Sequence, residues 1–87
     1  MKLVAILVLL SVQTAAAAPE CTKEPKDKWK EQKAIEKTLQ DQGYKIRKFN
    51  MTEGNCYQIL GWDKDFRKVE ILMNPVTGEK VKEEKHR

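Results

Sequence analysis

The side chains able to do chemistry are few. The sequence holds two cysteines, Cys21 and Cys56, one histidine, His86, and one serine, Ser11. Nucleophilic catalysis needs a nucleophile held beside a base. Ser11 lies in an apolar N-terminal stretch that reads as a cleaved signal, so no serine remains after cleavage. His86 stands in a charged segment, which would have to fold back to bring the imidazole beside a cysteine. Asp63 and Asp65 fall in a hairpin turn and read as solvated turn residues rather than as a general acid and base. Asp63-Lys64-Asp65 opens like a calcium loop, but no glycine follows at the required place and no glutamate closes the set. Cys21, Cys56 and His86 lack zinc spacing, and no glycine-rich phosphate loop is present. Asn50-Met51-Thr52 matches a glycosylation sequon by pattern and reads as a loop. The expectation is a non-enzymatic chain with no metal and no cofactor.

Residues 1–17 carry the signal pattern: Lys2, then the apolar run Leu3 to Val12, then Ala15 and Ala17 as the small residues before a cut after Ala17. The run is too short to span the roughly 30 Å of a bilayer core as a helix; an uncleaved N-terminal anchor is the alternative. Cleavage leaves a net charge of +3, one below the +4 of the full chain. Acidic and basic residues alternate without a long block of one sign, which argues against a nucleic-acid footprint. Lys45, Arg47 and Lys48 form a small basic patch, read as solvated strand surface in preference to a membrane-surface contact. Export places both cysteines in an oxidising compartment. Pairing them closes a loop of about 35 residues, worth roughly 4 kcal/mol on the chain-entropy model. A core of this size rarely supplies more than about 3–5 kcal/mol. Intermolecular pairing, or a thiol-based metal or redox site, are the alternatives, although no C-x-x-C motif is present.

The elements that position these groups follow from periodicity. Residues 18–25, with Pro19 and Pro25, read as an extended lead-in that Cys21 would pin to the body. Lys26 to Gln42 is rich in Lys, Glu and Gln and predicts a helix, with Asp27 as its cap and Trp29, Ile35 and Leu39 as its apolar stripe. Gly43 suits the left-handed residue that ends a helix. The period then changes to two. Tyr44, Ile46 and Phe49 mark a first strand, with Phe49 out of phase, which predicts a bulge or the strand's end near Lys48. Thr52 to Asn55 is a turn, and Cys56 to Trp62 a second strand. Asp63 to Phe66 is a hairpin, and Arg67 to Met73 a third strand. Asn74 to Gly78 ends it, Val81 begins a short final strand, and residues 83–87 read as a frayed charged tail.

Short connections favour antiparallel neighbours. The expected fold is α+β: one N-terminal helix packed on a three- to four-stranded antiparallel sheet, the domain spanning residues 26–82. Tyr57, Ile59, Val69 and Ile71 would face Ile35 and Leu39. The other sheet face would carry Gln58, Leu60, Trp62, Lys68, Glu70 and Leu72 with nothing to cover it. Leu60, Trp62 and Leu72, with Phe66 at the hairpin tip, are the candidate partner-binding residues; the alternative is that these side chains pack on one another or under the termini.

Trp29, then Gly43-Tyr44-Lys45-Ile46, Gly54-Asn55-Cys56-Tyr57, Arg67-Lys68-Val69-Glu70 and Asn74-Pro75-Val76-Thr77-Gly78-Glu79 follow one another in an order and spacing that resembles the PepSY family. The similarity is to its small exported single-domain branch, akin to propeptides of thermolysin-type metallopeptidases, and covers about Cys21 to Lys82. Two positions depart from the family pattern: Phe66 stands where the hairpin commonly has Gly, and Asn74 where the last turn commonly has Asp. Phe66 argues against a tight glycine turn. The resemblance implies a bacterial periplasmic or secreted protein that binds an exported protein and modulates or inhibits a peptidase by steric occupation. The alternative is an envelope accessory or sensory protein that binds a peptide, ligand or membrane surface with no protease involved.

Overall fold

Backbone hydrogen bonding at Lys30 decides where the helix begins. In a computed structural model, which describes residues 19–86, the Lys30 amide donates to the Pro75 carbonyl at 2.7 Å. The Tyr57 hydroxyl donates to the Lys30 carbonyl at 2.7 Å. Both backbone groups that a helix would use are thus committed to tertiary partners. The predicted helix over 26–42 is accordingly split into a 3-10 turn at Lys26–Lys28 and α1 at Gln32–Asp41. Asp27 does not cap α1; Glu31 holds the N-cap position and makes no side-chain capping bond. Trp29 leaves the helical stripe. Its ring meets Tyr57 edge-on at 5.6 Å, and its indole N–H donates to the Glu24 carbonyl. Ile35 and Leu39, one turn apart on α1, are the helical residues that are buried. Gly43, at φ +96°, ends the helix as expected. Its amide donates to Gln40, and the Tyr44 amide donates to Leu39, the paired bonds of a Schellman stop. The signal reading of residues 1–17 lies outside the described residues.

Four strands follow in a meander of order β1-β2-β3-β4, each antiparallel to its neighbour. They are β1 (Lys45–Met51), β2 (Tyr57–Trp62), β3 (Lys68–Met73) and β4 (Lys80–His86). The bulge predicted near Lys48 falls between Ile46 and Lys48, at Arg47. Gly61 lies opposite it, and a Cβ there would overlap the Lys45 carbonyl oxygen. The close approach of the β1 backbone therefore requires glycine.

The charged tail read over 83–87 is strand as far as His86. Its charges do not alternate with apolar residues, so no period-2 signal marks it. Main-chain pairing with the apolar strand β3 specifies it instead, together with contacts at its start. Glu83 accepts a hydrogen bond from the Tyr44 hydroxyl and pairs with Lys80 at 3.0 Å. Burial pushes the Glu83 carboxyl up, but the bonds from Lys80 and Tyr44 outweigh it and hold the group below its ordinary range.

The core lies between α1 and one face of the sheet. Ile35, Leu39, Ile59, Val69, Ile71 and Met73 are buried together, with Tyr44, Ile46, Phe49 and Tyr57 packed against them. The lead-in is stitched to the far end of β2 by a Cys21–Cys56 disulfide. The Cys21 amide donates to Gly54 at 2.9 Å, and the Asn74 side-chain amide donates to the Cys21 carbonyl at 2.9 Å. An aspartate at position 74 would have no proton for that bond. Asn74 Oδ1 meanwhile accepts from Val76 and Thr77, so one side chain closes the last turn and anchors the lead-in.

Candidate interaction face

Register assigns residues to the face away from α1. Cross-strand partners share a face. Trp62 pairs with Lys45 and Lys68, Leu60 with Lys48 and Glu70, and Gln58 with Asn50 and Leu72. On β4 the same face continues through Lys82, Glu84 and His86, opposite Leu72, Glu70 and Lys68. No element of the described residues packs a second layer on it. Leu60 and Trp62 are half-buried. Leu72 shares this face but is only 7 % exposed, so it offers a partner little surface, contrary to the sequence expectation. A shallow depression of about 150 Å³ lies beside Leu60 and Trp62, and Arg47, Lys68, Glu70 and His86 help to line it.

The β2–β3 hairpin closes one end of this face. Asp63 Oδ1 accepts from the amides of Asp65 at 2.8 Å and Arg67 at 3.0 Å. The Asp63 amide donates to the Arg67 carbonyl, and the Phe66 amide donates to the Asp63 carbonyl. Asp63 is therefore not a solvated turn residue: it is 5 % exposed. Its Oδ2 makes no hydrogen bond and is faced by Arg67 Nε at 3.7 Å and Lys85 Nζ at 3.8 Å. This scaffold holds Phe66 at φ +63°. The residue expected to prevent a glycine-like turn adopts the glycine conformation, and it is 74 % exposed. Lys45 Nζ sits 5.3 Å from the ring centroid, which joins the hairpin tip to the Trp62 end of the open face.

The Arg67 amide, chiefly, holds the Asp63 carboxyl below the ordinary aspartate range. Burial opposes it, while the Asp65 amide and the Arg67 and Lys85 charges add to it. A carboxylate whose pKa is lowered on folding stabilises the fold above its unfolded pKa and ceases to do so as the pH falls through its folded pKa. The melting temperature is therefore expected to fall on acidification from roughly pH 5 to pH 2. Asp63→Asn should flatten that decline. Parallel wild-type and variant profiles in thermal melts would show that Asp63 carries none of it.

A second polar cluster among the described residues is engaged by other side chains of the protein. Glu70, Glu84 and His86 bring ligand atoms within 4.8 Å of one another. However, Glu70 accepts from Gln58 at 2.9 Å and Glu84 pairs with Lys82 at 2.8 Å. That lysine holds the Glu84 carboxyl below its ordinary range. His86 lies opposite Lys68, at the end of the sheet away from Cys56, and both cysteines are bridged. The geometry thus provides a rigid sheet surface carrying Leu60, Trp62 and an exposed Phe66, and it assembles no nucleophile–base pair from the cysteines and the histidine.

No curated protein and no solved structure matches the chain. A family model described as peptidase propeptide and YPEB domain matches residues 1–84, a span that takes in α1, β1, β2, β3 and most of β4. With one helix against a four-stranded antiparallel meander, and with a match of that extent, the chain belongs to the peptidase propeptide and YPEB domain family, PepSY.

Proposed function

We propose that this chain is an exported, non-enzymatic binding module that inhibits an envelope or extracellular peptidase by seating its open sheet face against the enzyme. Domains of this family are generally propeptide-like regulatory modules rather than catalysts, and they are typically extracellular or periplasmic. The disulfide fits an oxidising compartment. The observation that carries the reading is Phe66. A bulky residue in the left-handed region costs about 1–2 kcal/mol, and here that cost leaves a large apolar residue exposed. The backbone gains one hydrogen bond, from the Phe66 amide to the Asp63 carbonyl, but the ring gains only one cation–π contact at the surface. Strain of this kind collects at functional sites, and this one adjoins Trp62.

The test adds the purified chain to peptidase-containing envelope extract and follows proteolysis. Wild-type chain is expected to lower activity. Trp62→Ala and Phe66→Gly are each expected to weaken inhibition about tenfold or more, the range of an aromatic anchor. Phe66→Gly should melt at the same temperature or higher, because glycine relieves the left-handed strain. Unchanged proteolysis at saturating chain, alongside binding to a non-peptidase partner, would replace this reading with that of an accessory or sensory protein.

A further inference from the structure

Resting on the face assigned above, the charges around Trp62 indicate what a partner presents to it. Lys45, Lys48 and Lys68 share the face by register, and Arg47 lines its depression. None of the four is within ion-pairing distance of a carboxylate among the described residues. The bulge is the reason that two consecutive cations serve one face. Regular alternation would send Arg47 and Lys48 to opposite sides, whereas the register slips between Ile46 and Lys48. Bulges re-aim side chains in this way. Of the two acids on the face, Glu84 is paired with Lys82, while Glu70, which also lines the depression, accepts from the neutral Gln58 amide and keeps its charge. Four cations, Lys45, Arg47, Lys48 and Lys68, against Glu70 leave the face with a net positive surplus around Leu60 and Trp62.

That combination selects among occupants. A second copy set face to face would oppose one positive surface to another. A lipid surface would spread its phosphates over the whole face, and it has no single group to enter the depression. A volume of about 150 Å³ accommodates a group of benzene size. We infer that the partner presents an extended acidic segment, one apolar side chain of which enters the depression against Trp62 while flanking carboxylates pair with Arg47 and Lys68. The planar guanidinium of Arg47 suits bidentate pairing with a carboxylate.

The test uses the full chain carrying Trp29→Phe, so that fluorescence reports Trp62, titrated with three probes. These are a peptide with one leucine flanked by Asp and Glu, its Asn and Gln counterpart, and vesicles of phosphatidylglycerol. The acidic peptide is expected to give a saturable change, at least tenfold tighter than the neutral peptide and weakened several-fold by high salt. Arg47→Glu with Lys68→Glu should abolish it while leaving the melt unchanged. Equal binding of the two peptides, undiminished binding by the charge-reversed chain, or a response to vesicles alone would overturn the inference. The peptidase assay separates its failure from that of the broader reading. Inhibition lost in Trp62→Ala but kept in the charge-reversed chain overturns only the acidic segment, and inhibition kept in both overturns the face itself.

Discussion

Reduction of the Cys21–Cys56 bridge is expected to lower the melting temperature by on the order of 20 °C. The bridge spans 35 residues. Its closure removes freedom from the unfolded chain worth roughly 4 kcal/mol, and in a domain of this size each kcal/mol moves the midpoint by about 4–8 °C. The position matters as much as the loop length. Cys21 is the anchor of a lead-in that otherwise holds to the body through a few hydrogen bonds, from Cys21 to Gly54, from Asn74 to Cys21 and from Asn55 to Thr22. These bonds form only when the chain is already folded, so they cannot replace a constraint on the unfolded ensemble. Thermal melts followed by circular dichroism, with and without reductant, give the shift. A Cys21→Ser, Cys56→Ser double variant melted without reductant separates the bridge from any other effect of the reagent. A shift of less than a few degrees in both would show that the lead-in contributes little to folding.

Ile71→Ala is the second large effect, expected to cost about 2–5 kcal/mol. Ile71 is fully buried in the interior strand β3, directly across from Ile59 on β2, in the cluster that holds Ile35 and Leu39. Truncation leaves a cavity bounded by two strands and a helix, none of which can close it without breaking register. Leu60→Ala provides the contrast, since Leu60 lies on the open face and is half-buried. Urea denaturation should place the Ile71 variant well below the Leu60 variant. Equal losses would mean that the sheet is covered on both sides.

The core was legible because its signals are local and redundant. Ile35 and Leu39 repeat at one helical turn, Val69, Ile71 and Met73 repeat at two, and Gly43 marks the junction between the periods. Features set by distant partners were not legible. The helix starts late because Lys30 bonds Pro75 and Tyr57, contacts that no local propensity encodes. Strand β4 has no hydrophobic rhythm and exists because β3 offers a free edge. Asp63 reads as a solvated turn acid, yet it is buried beneath its own turn and dictates the backbone of Phe66. At the candidate site, alternation correctly put Leu60, Trp62 and Leu72 on one face but could not reveal that Leu72 is already covered. The displaced phase of Phe49 signals the bulge, but where the bulge aims Arg47 is a three-dimensional fact.

The charged run of β4 also bears on self-association, because it lies along the outer edge of β3. A sheet with a bare apolar rim templates its own stacking. Here β3 contributes Val69, Ile71, Leu72 and Met73, the most aggregation-prone stretch of the sheet, and its outer backbone is occupied by Lys80–His86. Proteolytic trimming into that segment would turn a sealed border into an adhesive one. Loss of a few lysines and glutamates, with no change to the core, would then expose the β3 edge to other chains.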